Sequence, residues 1–204
     1  MKEPNYSVRI EYLILENVPK DLVKSMPTPL GHFTIAHIIY KSKKSLSLPA
    51  LIVGSVIPDI DTPLYLLARI YVGRELFHSF IGMGTLGTLL STLLVVLIYP
   101  SITSSIFRIN KDEIRKTCKL SKNVLFSSFI GGISHILIDL TCHNYNPLFY
   151  PFTKQSIDIF LLTPDWEFSY FIVESLFLVL LVILIVGISR KRDEGFWKQM
   201  LVKG

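Results

Sequence analysis

An all-α fold held in a membrane is predicted by three features of this 204-residue chain. Half of the residues are hydrophobic and only 18% are charged, with a mean hydropathy of +0.47, a composition suited to lipid surroundings. Two segments are long enough to cross a bilayer: Ser79–Tyr99 runs 21 residues without a charge, and Phe168–Ser189 runs 22 with Glu174 as its only one. Thr-Pro pairs at Thr28-Pro29, Thr62-Pro63 and Thr163-Pro164 each precede an apolar or aromatic run. Threonine caps free backbone N–H groups there, and proline has none to leave unsatisfied at a first helical position. The expectation is a helical bundle of about four or five membrane-associated helices, forming one domain over residues 26–204.

Residues 1–25 differ from the rest, being polar, with Lys2, Arg9, Lys20 and Lys24 balanced by Glu3, Glu11, Glu16 and Asp21. They read as an N-terminal extension, with no basic start followed by an apolar run as a cleavable signal would have. Leu30–Tyr40 and Leu46–Ile57 are apolar but short, and fit tilted or re-entrant helices packed inside the bundle. Pro58 stops the second of these and leaves Asp59 and Asp61 in a tight connection before a helix starting near Pro63. Val124–Thr141 is a third span of 18 residues that contains His135 and Asp139.

Basic residues give the bundle a direction. Of 21 in the chain, three lie in Lys41–Lys44, six in Arg108–Lys122 and five in Arg190–Lys203. The positive-inside rule puts those segments in the cytoplasm. With alternating spans, His32, Asp59, Asp61, His78 and His143 then fall at or near the outer face, with His135 and Asp139 one or two turns deeper.

Ionisable groups in apolar surroundings cost several kcal/mol unless they are paired or bind an ion. Imidazoles and carboxylates, without a cysteine pair or a glycine-rich loop nearby, make a ligand set for zinc or a similar divalent metal. His135 and Asp139, four apart, share one helix face, and His143 follows one turn later if the helix continues. Such a helix offers an imidazole and a carboxylate to one metal, or lets the carboxylate bridge two. Gly131-Gly132 permits close approach of a neighbouring helix.

The order of these motifs resembles a known family. Met26-Pro27-Thr28-Pro29-Leu30-Gly31-His32, Gly54-Ser55-Val56-Ile57-Pro58-Asp59-Ile60-Asp61, His78-Ser79, Gly132-Ile133-Ser134-His135-Ile136-Leu137-Ile138-Asp139 and Leu148-Phe149-Tyr150-Pro151-Phe152 are similar to the successive motifs of the membrane-bound, metal-dependent hydrolases typified by the LexA-regulated inner-membrane protein YdjM. The resemblance covers residues 26–152 and leaves the final span outside. It implies a multi-pass protein of the inner membrane, and a more distant similarity to zinc-dependent phospholipase C and P1 nuclease, with a core like theirs. By that resemblance Asp59 or Asp61, His78, His135 and Asp139 hold one zinc, and Asp139 bridges to a second held by His32. His143 is a further ligand candidate, but no later His-x-x-x-Glu completes a third site with it. One or two ions are therefore expected. The resemblance also makes Met26 a candidate start.

Other residues carry weaker signals. His37 lies about 140° around the helix from His32, which sets it apart from a shared metal. Asp165 and Glu167 suit the positive end of a helix dipole, and Arg69 and Arg74 could hold a phosphate. Cys118 and Cys142 fall at opposite ends of a span, too far apart to bridge. The basic run Arg108–Lys122, set between two spans, suits anionic lipid rather than nucleic acid. The expected activity is hydrolysis of a phosphodiester or phospholipid-like substrate at the outer face, with whichever of Asp59 and Asp61 is not a ligand taking the proton. A metal-ion or proton transporter, or a non-catalytic protein with a structural metal clamp, uses the same residue types.

Overall fold

The computed structural model describes residues 29–60, 74–158, 161–190 and 195–204, and all regular structure among them is helical. The extension 1–25, the helix start at Pro63, Asp61, Arg69 and the side chain of Arg74 lie outside the described residues.

Helix α1 spans Pro29–Ser42 and α2 spans Leu48–Val56, with a 3₁₀ turn over Ile57–Ile60. Ser47 caps α2, its hydroxyl accepting from Ala50 N, and Pro58 ends regular α-helix at the turn, as its lack of an N–H requires. After the short α3 (Arg74–Phe77), Ser79 caps α4, which runs Phe80–Leu97 with a π-helical stretch over Met83–Gly87. Helices α5 (Tyr99–Phe107) and α6 (Lys111–Thr117) form a turn at the basic end. Helix α7 (Lys122–Cys142) returns, capped by Ser121. Helix α8 (Trp166–Ser189) starts just after Pro164, and Asp165 does more there than sit near a dipole: its Oδ1 accepts from Glu167 N and Phe168 N. The last turns comprise α9 (Phe196–Lys198) and the π-helical Gln199–Lys203.

Helices α4, α7 and α8 are long and apolar enough to cross a membrane, so the protein is a membrane protein with three candidate spans. The shorter α1 and α2 pack inside the bundle rather than adding full spans. Lipid-facing character is clearest on α8, where Phe171, Leu176, Val179 and Ile183 are all more than half exposed; water would penalise that surface and lipid would not.

Helices α2 and α7 cross at glycine. A Cβ on Gly131 would collide with Leu51 O, and one on Gly54 with Ser128 O. Each glycine thus lets one backbone seat against the other. On the remaining face of α7, a Cβ on Gly132 would meet the Met83 side chain of α4.

The bundle has two chemically distinct ends. His32, Asp59, His78 and Asp139 sit where α1 begins and where α2 and α7 finish, whereas Lys41, the Lys111–Lys122 region and Arg190 sit at the other end.

Candidate metal centre

His135 is fully buried on α7, and its orientation is fixed from α2. Its Nδ1–H donates to Ser55 O at 2.8 Å, a carbonyl in the last turn of α2 where intrahelical donors run out. The close α2–α7 crossing brings that carbonyl within reach. The tautomer so selected leaves the Nε2 lone pair free to face the centre, the arrangement that orients a metal-binding imidazole.

Four side chains surround one point in front of that lone pair. His135 Nε2 lies 3.3 Å from Asp139 Oδ2 and 3.5 Å from Asp59 Oδ1. His78 Nε2 lies 3.4 Å from the same two oxygens. Tetrahedral zinc with bonds of about 2.0–2.2 Å needs donors roughly 3.3–3.5 Å apart. His78 is held for this by the start of α4: Ser79 Oγ accepts from Gly82 N and donates to Leu76 O, each at 3.0 Å, and Phe80 N donates to Leu148 O.

The other oxygen of Asp139 faces a second pair of imidazoles. His32 Nε2 and His143 Nε2 are each 3.7 Å from Oδ1. His32 is also stacked on His135, with ring centroids 3.6 Å apart. Helix α7 does not continue through His143, which is its extended C-cap. The residue stays close because its N–H still donates to Asp139 O at 2.8 Å, and Asn146 Nδ2 donates to His143 O at 2.6 Å. The sets His32, Asp59, His135, then His78, His135, Asp139, and Asp139, Cys142, His143 each have ligand atoms close enough to hold a metal ion.

Electrostatics call for a cation here. Burial, with His135 beside it, holds the His32 imidazole far below its usual value, at about 3, so it is a neutral donor at physiological pH. Burial alone would raise the Asp59 carboxyl, but the facing His135 and His78 outweigh it and hold the group below the ordinary carboxylate range. Asp59 and Asp139 set two carboxylates side by side in a low-dielectric site, where charge left without a counter-ion is costly. His135 Nε2 and Asp59 Oδ2 are buried without a hydrogen-bond partner. A divalent cation fits both the charge and the distances.

The structure therefore brings together His32, Asp59, His78, His135, Asp139 and His143. It keeps His37 apart: its Nε2–H donates to Met200 O at 2.8 Å, tying α1 to the last turns of the chain. Three neighbours were not singled out from the pattern of residues. Cys142 belongs to the third ligand set. Tyr170 packs against His143 with ring centroids 5.7 Å apart, and a Cβ on Gly31 would lie 3.6 Å from Glu174 Oε1. A lone carboxylate in the most apolar span was the one available signal for Glu174.

No curated protein and no solved structure matches the chain. The sequence model of the YdjM inner membrane protein family does match, and its residues 28–201 take in α8, beyond the motifs that end at Phe152. With its helices, buried His/Asp cluster and last span all inside that match, the chain belongs to the YdjM inner membrane protein family.

Proposed function

We propose that the protein is a membrane-embedded, metal-dependent hydrolase acting on a phosphodiester or phospholipid-like substrate at the extracytoplasmic face. The observation that carries this reading is the Asp139 carboxylate, whose Oδ2 faces His78 and His135 while Oδ1 faces His32 and His143. One carboxylate between two imidazole pairs is the arrangement of a two-ion centre, with zinc the natural occupant of such donors.

The two halves are unequal, and the difference favours catalysis over a clamp. His78, His135, Asp59 and Asp139 supply four donors, the full complement of a structural site. His32, His143 and Asp139 Oδ1 supply three, and with the Cys142 thiol turned to Ile138 O that number leaves a position for water or a substrate oxygen. A divalent ion there would supply Lewis-acid polarisation and a lowered water pKa. Asp59 Oδ2 is buried and without a hydrogen-bond partner, and Asp59 takes the proton if it is not itself a ligand. Asp61 is the alternative acceptor. The substrate class rests on location and on the resemblance to phosphodiesterases, and the outer face on the three basic segments at the far end of the bundle.

The test joins metal analysis of the purified protein to a screen of phosphodiester and phospholipid substrates. Hydrolysis that disappears with chelator and returns with zinc supports the reading. Tightly held metal with no turnover of any substrate favours the structural clamp. Metal flux through reconstituted vesicles without hydrolysis favours a transporter.

A further inference from the structure

We propose that a basic cavity at the opposite end of the bundle from the metal centre binds the phosphate of an anionic lipid headgroup. The cavity, of about 570 Å³, opens between the end of α1, the start of α2 and the connection from α6 to α7. Lys44, Lys116 and Lys119 line it beside Ser47, Ser121 and Asn123, and none of its lining residues is acidic. Asp139 lies 17 residues along α7 from Lys122, about 25 Å at the rise of an α-helix, so this is a site separate from the centre.

The two acids of α6 are engaged elsewhere. Glu113 pairs with Lys198 at 2.7 Å and Asp112 with Arg115 at 3.7 Å. Lys44 lies over the Tyr40 ring and donates to Gly204 O at 3.2 Å, which fixes one wall. Lys116 and Lys119 are exposed. The floor is built rather than incidental: Ser47 Oγ donates to Thr117 O at 3.0 Å and Ser47 N to Ser127 Oγ at 2.9 Å, locking α2 to α6 and α7.

Position and lining select a lipid. The cavity sits where the α7 span begins, at headgroup level. Its apolar side, Leu46, Leu48, Val124 and the largely exposed Leu120, suits the glycerol and first methylenes below a phosphate. Lysines at that level attract anionic lipid, each by an amount that compounds with its neighbours. A general basic surface would do so diffusely; the cavity assigns the attraction to Lys116 and Lys119 in particular.

Native mass spectrometry of the full chain in nonionic detergent, offered phosphatidylglycerol or phosphatidylcholine, reads this directly. The wild type should retain phosphatidylglycerol about tenfold or more over phosphatidylcholine. The double variant Lys116→Ala/Lys119→Ala should lose most of that preference while keeping its metal content, and Arg115→Ala, on the same helix but outside the cavity, should keep it. Equal retention of the two lipids by the wild type overturns the proposal, as does an equal loss in Arg115→Ala. Displacement of phosphatidylglycerol by excess inorganic phosphate would make a free phosphate the ligand and overturn the lipid assignment.

Discussion

Asp139 has two jobs that no other residue in the centre shares, because each of its oxygens faces a different imidazole pair. Replacing it with asparagine keeps the volume but removes the charge that offsets a cation, so bound metal should fall sharply, as read by elemental analysis. Asp59→Asn should behave differently if Oδ2 takes the proton: metal is retained in part, and hydrolysis falls by roughly 10²-fold or more. The native cysteines give a second check at this scale. Burial pushes the Cys118 thiol up to about 11, and the thiolate is the reactive form. Cys118 should therefore resist a maleimide at pH 7 in the folded protein, label faster only as pH rises toward 11, and label at once after unfolding in detergent.

Residues were the most legible scale in the sequence, because ionisable side chains in apolar runs are few and each demands a reason. His32, His37, Asp59, Asp61, His78, His135, Asp139 and His143 all stand out on that ground, which by itself does not separate His37 from the others. That Asp139 could bridge two ions was legible from its place on the helix and from the resemblance, but the pairing of His143 with His32 on its second oxygen was not, since it depends on His143 folding back at a C-cap and on α1 stacking His32 over His135. Cys142 and Glu174 were passed over for a related reason. A cysteine among apolar residues reads as packing, and Glu174 comes beside Gly31, the neighbour of His32, only because α8 docks on α1.

At the scale of elements, the α2–α7 crossing sets the site, for it delivers Ser55 O to His135 and Asp59 to the same point. The Gly131-Gly132 pair announced a close approach, but the partner helix did not announce itself. Gly54 is the reciprocal glycine, and its role follows only from the packing. Gly131→Val should push α2 away from α7, cost about 1–3 kcal/mol as overpacking, and lower metal content along with thermal stability in detergent. Gly187 on α8 has nothing within 4 Å of a would-be Cβ. Gly187→Ala should leave metal binding intact and stabilise by up to about 1 kcal/mol through helix propensity. Equal loss of metal in both variants would detach the centre from the crossing. The short helices α1 and α2 were readable as apolar elements too short for full spans and packed inside the bundle, but not which longer neighbours bury them, since burial and not length sets that.

The whole molecule is a bundle with a His/Asp centre at one end and basic segments at the other. The proposed orientation, with the centre outside, rests on that charge asymmetry. A cysteine at exposed Asp112 should be protected from an impermeant thiol reagent in intact cells, and one at exposed Gln155 should be labelled. The opposite pattern places the centre in the cytoplasm and removes the case for an envelope substrate. Both native cysteines are buried, which keeps the background low.

The account turns on Asp139 joining two cations, and counting metal per chain tests that most directly. Elemental analysis of the purified wild type, His143→Ala and Asp139→Asn, each verified as folded by its elution and helical content, should find two divalent ions, one, and none or nearly none. A folded wild type that holds no ion at any zinc concentration, or an Asp139→Asn variant that holds as much as the wild type, contradicts it.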